Sequence, residues 1–222
     1  MSRAQPDPKR GGLCVDVFWL DPKFHARARR AVHEMHESGG AAAIHWDTKT
    51  IHEGAKTARG GYDHIDIDRA LVDWHSHPNR CQSRDVCALG LPSPSDMANA
   101  FVGIVSGSLG HLVYGAEGTY VLQMQPAWAR ANVPRLQANI PALRAAAKRV
   151  HDAFETTYNR YLNDAKRMTY EEYRRIWLRT CSDQRFRVVF FKGEARPYLR
   201  ATFRCSLRGS APTAQLIRLL GE

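Results

Sequence analysis

Apolar residues recur along the chain in two rhythms, and the change between them falls near the middle. At the start, MSRAQPDPKRGG is polar, carries Pro and Gly, and reads as a flexible basic arm over residues 1–12. The apolar run CVDVFWL that follows predicts a strand. Asp21-Pro22 then supplies an N-cap with Pro at the first helical position, and Phe24, Ala28, Ala31, Val32 and Met35 share one face of a helix predicted from about Pro22 to Glu37. Ser38-Gly39-Gly40 stops it, and the small apolar run AAAIHW predicts a buried strand. Lys49 to Gly61 reads as a turn or exposed loop, Ile65–Ile67 and Ala70–His77 as extended segments, and Asn79 to Pro92 as a loop. Ser93-Pro94-Ser95-Asp96 opens a helix to about Phe101, after which FVGIVSG, GHLVYG and GTYVLQMQ predict three strands broken by glycines. Beyond a seam near Gln125–Pro134 the period becomes helical, with helices over Leu136–Asn163 and Tyr170–Leu178. RFRVVFFKGEARPYLRATFRC then reads as a hairpin, and Ala214–Leu220 as a terminal helix.

Charge sharpens that division. Residues 1–129 hold 13 Lys/Arg against 14 Asp/Glu, whereas residues 130–222 hold 19 against 8, so the net +10 belongs to the C-terminal part. Arg196, Arg200 and Arg204 have even separations and would share one strand face, interleaved with Phe186, Phe190, Tyr198 and Phe203. Such a face suits a nucleic-acid backbone or an acidic protein surface, and equally a solvated surface over core aromatics. In 222 residues, 44% are hydrophobic and 24% charged, the composition of a globular chain with a real core rather than a disordered one. No apolar run approaches a membrane span or a signal peptide, which points to a cytoplasmic or otherwise intracellular setting, a virion included, and to no membrane partner. The five cysteines are odd in number and irregular in spacing, so reduced thiols are expected.

The chemistry concentrates at His75-Ser76-His77, where side chains at i and i+2 of a strand can reach one cation. Asp96 stands at the third position of the helix opened by Ser93. It either closes a capping box with Ser93 or projects a carboxylate that completes a His, His, Asp set with one coordination position left for water. Trp74 reads as core, and Asp73 as either a surface residue or one that orients a histidine. His25, His33, His36, His45 and His111 lack a second partner at ligand spacing. Cys81 and Cys87 read as two ordinary thiols or, with His52 or His64, as a second, structural zinc site. A metallo-β-lactamase pattern would want Asp-His directly after His-x-His, where this chain has Pro78-Asn79-Arg80.

The order Glu37, then His75-Ser76-His77-Pro78, then Ser93-Pro94-Ser95-Asp96 resembles the JAMM (MPN+) zinc metalloprotease family over roughly Leu13 to Met124. HLVYGAEGTYVL is also similar to the strand pair that follows the metal helix in such domains. The resemblance implies an α/β fold with an MPN-type central β-sheet flanked by helices over 13–125; the charge and apolar pattern beyond it reads as a basic helix and β-hairpin extension over 130–222. The resemblance also implies zinc held by His75, His77 and Asp96, Glu37 as general base, and Ser93 as hydrogen-bond donor to a tetrahedral oxyanion. The implied activity is hydrolysis of an amide in a peptide or protein, including the isopeptide bonds of ubiquitin or ubiquitin-like proteins. The alternative is a non-catalytic scaffold, in a larger assembly such as a virion, that binds nucleic acid or protein through the basic region. His77 and Ser93 are separated by fifteen residues, a longer loop than the family pattern has, and a surface insertion of that kind costs little in closure entropy.

Overall fold

The computed structural model describes residues 13–34, 36–59, 70–78, 90–163 and 168–204. Eight strands form one sheet: β1 (Leu13–Leu20), β2 (Ser38–His45), β3 (Thr50–Arg59), β4 (Val72–Ser76), β5 (Gly110–Gly115), β6 (Gly118–Met124), β7 (Phe186–Lys192) and β8 (Tyr198–Arg204), in the order β7-β6-β5-β4-β2-β3-β1-β8. Five helices accompany them: α1 (Pro22–Ala31), α2 (Pro94–Val105), α3 (Pro126–Gln137), α4 (Ile140–Asn163) and α5 (Tyr170–Asp183). The architecture is mixed α/β, with parallel pairing of β1 with β3 and of β4 with β5 and antiparallel pairing elsewhere. None of the described helices is long and apolar enough to cross a membrane.

The sheet separates two apolar clusters. Inside its curl, Phe18, Leu20, Ile51, Val72, Trp74, Leu112, Tyr114, Val121 and Leu199 pack with Phe24, Ala28 and Ala31 of α1. On the other face, Val113, Tyr120, Leu122 and Phe186 pack beneath α2, α3, α4 and α5. Alternation decides the side: Leu112 and Tyr114 of β5 enter the first cluster while Val113 enters the second. Asp21 caps α1 by accepting from the amides of Lys23 and Phe24, as the Asp-Pro pair predicts.

Several expectations are corrected. The segment after Lys49 is no loop but the strand β3, paired on both sides; of its described side chains Ile51 alone enters the core. FVGIVSG is not a strand, because Phe101, Ile104 and Val105 continue the apolar face that Met97 and Ala100 begin on α2. α1 ends at Ala31, short of Glu37, and α3 spans the proposed seam.

The C-terminal β-hairpin is the largest correction. β7 pairs with β6 and β8 with β1, at opposite ends of the strand order, so the two consecutive strands close the curl instead of pairing with each other. Phe191 and Tyr198 meet edge to face at 5.1 Å, and the Gln123 amide donates to the Arg200 carbonyl at 2.9 Å. The connection between the strands is held by α1. The Glu194 carboxylate accepts from Arg29 Nε at 3.2 Å, and the Glu194 carbonyl lies 3.3 Å from His25 Nε2. Buried Arg29 also donates to the carbonyls of Gly115, Ala116 and Gly118, satisfying the β5–β6 turn from below. Arg196 precedes β8 rather than lying in it, so of the three predicted arginines only Arg200 and Arg204 belong to the strand. Ile65–Ile67, His64, Cys81, Cys87 and Ala214–Leu220 lie outside the described residues.

Candidate metal centre

β4 runs between β2 and β5, and its pleat turns Val72 and Trp74 into the inner core while Asp73 and His75 face the α2 side. His77 follows the strand end, its amide donating to the Tyr114 carbonyl at 2.8 Å. Trp74 packs edge to face against Phe24 and Tyr114, the core role its sequence suggests. From the opposite side, α2 delivers Asp96 in its first turn. The approach of that helix is fixed from both directions. Gly90 and Gly115 come so close that a side chain on Gly115 would meet Gly90 Cα at 2.5 Å, and the Trp177 indole on α5 donates to the Pro92 carbonyl at 3.3 Å.

The result is a buried cluster. His75 Nε2 and His77 Nε2 lie 3.0 Å apart, His75 Nε2 is 3.4 Å from Asp96 Oδ1, and His77 Nε2 is 3.1 Å from Asp96 Oδ2. Tetrahedral zinc with bonds of about 2.0–2.1 Å needs ligand atoms roughly 3.3 Å apart, so this donor set fits such an ion. His75 is 2% exposed and His77 8%. Burial lowers the His75 pKa against the opposing pull of Asp96. Burial alone would raise the Asp96 pKa, but the two imidazoles more than offset it and hold the carboxyl well below its usual range. A neutral imidazole and an ionised carboxylate are the forms a cation requires.

Closing the cap does not turn the Asp96 carboxylate away from the histidines. Oδ2 accepts from the Ser93 amide at 2.7 Å, closing the box, while both oxygens still face the histidines. The reciprocal bond uses Ser93 Oγ as acceptor from the Asp96 amide at 3.2 Å, which leaves the hydroxyl proton to donate elsewhere. Glu37 directly precedes β2. In the β2–β4 ladder Gly39 stands opposite His75, and Ser76 Oγ ties to both the amide and the carbonyl of Ser38, the residue next to Glu37. The glutamate is 7% exposed. His75, His77 and Asp96 thus meet at one end of β4, with Ser93 bonded to Asp96 and Glu37 next to the Ser38 that Ser76 holds.

Two further residues complete the cluster. The parallel register of β4 and β5 sets His111 beside Asp73, with His111 Nδ1 2.5 Å from Asp73 Oδ1 and His111 Nε2 2.9 Å from His75 Nδ1. Burial alone would lower the His111 pKa; the Asp73 carboxylate more than offsets it and raises it. Ligation through His75 Nε2 requires the ring proton on Nδ1, and the chain from His75 through His111 to Asp73 offers that proton an acceptor. The sequence hinted only at Asp73. His111 stands well apart in the chain, and its partner emerges only from the strand register. Asp73→Asn is therefore expected to weaken zinc binding about 10- to 100-fold while the fold survives. Competition with a chromogenic chelator measures this, and unchanged affinity would reduce the chain to packing.

A second group, His151, Asp152 and Glu155 on α4, is more exposed, and Asp152 there pairs with Lys148 as an ordinary helix-surface ion pair. Compared with family models, curated proteins and solved structures, the chain matches none of them.

Proposed function

We propose that the protein is a zinc-dependent peptidase or isopeptidase of JAMM type, with His75, His77 and Asp96 as ligands. The observation that carries this reading is the convergence of two buried imidazoles and an aspartate at tetrahedral spacing; a buried glutamate adjoins the Ser38 that is tied to Ser76 between the two histidines. Zinc bound there supplies Lewis acidity and a water that ionises near neutral pH. Glu37 takes a proton from the attacking water and delivers it to the leaving nitrogen, so that the C–N bond breaks with departure of a neutral amine. The Ser93 hydroxyl donates to the oxygen on which negative charge develops, an interaction typically worth about 3 kcal/mol. Burial strengthens these electrostatic contributions by excluding water.

Substrate class follows from the resemblance: a peptide or protein amide, with ubiquitin-like conjugates among the candidates. The test incubates purified full chain with linked ubiquitin chains and a peptide library, with and without a chelator. Cleavage that chelation stops and zinc restores supports the reading. Protein never exposed to chelator is expected to carry about one zinc per chain, as a single three-ligand site requires. Elemental analysis showing less than about a tenth of that, unrecovered on adding zinc, would remove the site.

A further inference from the structure

The curl of the sheet leaves one face without a helical layer among the described residues. α1 packs inside the curl and α2 to α5 pack on the other cluster, so the outward pleat of β1, β2, β3 and β8 faces solvent at Val15, Trp19, His45 and Arg200. Trp19 is 40% exposed and Val15 57%. Trp19 stands directly opposite Tyr198 across the β1–β8 ladder, their rings 4.9 Å apart. Each ring carries a guanidinium: Arg196 Cζ lies 5.1 Å from the Trp19 centroid, and Arg200 Cζ 5.8 Å from that of Tyr198. His45 and His52 continue the face on β2 and β3, with ring centroids 4.2 Å apart. The outward positions from Val15 to Trp19 and from Tyr198 to Thr202 hold no carboxylate. Asp21, 3.8 Å from His52, is already engaged as the cap of α1.

We propose that this face binds single-stranded nucleic acid, with Trp19 as the stacking platform, half-buried Tyr198 supporting it, and Arg196 and Arg200 on the phosphates. Cations alone would serve any polyanion, but the exposed Trp19 ring discriminates. A duplex hides the faces of its bases and an acidic peptide has few rings to offer, whereas an unpaired strand presents a π-face at every nucleotide. The arginines that lie over the rings hold them in place and are the cations nearest to phosphates passing this face. This site is independent of the metal centre and of the reaction proposed for it.

Fluorescence anisotropy of the full chain with labelled oligothymidylate of about 20 nucleotides and with the matching duplex tests the proposal. The strand is expected to bind at least about tenfold more tightly than the duplex, and Trp19→Ala to weaken it at least about fivefold, while Trp19→Phe retains most affinity. Arg196→Gln with Arg200→Gln should reduce the slope of log affinity against log salt by roughly 1 to 1.5, since each single-strand phosphate contact contributes about 0.7. Circular dichroism checks each variant's fold. Failure to bind the strand at low salt, equal affinity for duplex, or competition by polyglutamate equal to that by unlabelled strand would overturn the proposal. Should Trp19→Ala not fold, the double arginine variant decides: unchanged affinity and slope in a folded protein also overturn it.

Discussion

Glu37→Gln is expected to leave zinc content at the wild-type level and to lower turnover of a cleavable amide by at least about 10²-fold, the range for loss of a positioned general base. The two readouts separate the roles the residue can have. The amide isostere keeps the volume of the buried side chain but cannot take a proton from water. Cavity formation is thereby avoided, and Ser38, which anchors the start of β2 to Ser76, is untouched. If zinc were lost with activity, Glu37 would be a ligand. If activity survived, the base would have to be sought elsewhere, and the burial of Glu37 would be structural only. A parallel measurement on His77→Ala should lose both metal and turnover, because it removes one of the three atoms proposed as ligands.

What the sequence made legible was whatever has a short-range signature. The Asp21-Pro22 cap, the i, i+2 pair His75 and His77, and the Ser93–Asp96 box are all local, and each is present as read. Spacing does not say how the two oxygens of Asp96 are shared, and in the fold Oδ2 closes the cap while both oxygens face the histidines. Non-local pairing was beyond reach. β3, in TIHEGAKTAR, has no sustained apolar alternation, and its strand state comes from neighbours on both sides. The pattern of β7 and β8, two apolar runs joined by a short Gly- and Pro-bearing segment, is that of a hairpin. Burial of His25 and Arg29 against the connecting segment instead sends the strands to opposite edges. Likewise His111 acquires meaning only through its place beside Asp73 in a parallel register.

The second large effect concerns the charge seam, which invites removal of everything after Gln125. That deletion is expected to yield no cooperatively folding protein and no stoichiometric zinc, although all five site residues precede the cut. It strips β8 from β1 and β7 from β6, exposing both sheet edges, and uncovers α2 where α4 packs on it. Leu143, Val150, Phe154, Tyr173, Trp177, Phe186 and Leu199 are all buried and all lost. At about 1.5–3 kcal/mol for each large side chain, their burial amounts to roughly 10–20 kcal/mol, which matches or exceeds the 5–15 kcal/mol that typically separates a folded domain from its unfolded chain. Trp177 adds a direct link to the site, because its indole holds the Pro92 carbonyl one residue before Ser93. Thermal unfolding followed by circular dichroism, with zinc analysis on the same sample, reads the outcome. A sharp transition with one bound zinc in the truncated chain would show that the first six strands stand alone. Co-expression of residues 1–125 with residues 126–222 supplies the converse: if the helices and the two edge strands complete a single core, the pair should associate and recover zinc together, and neither piece should do so by itself.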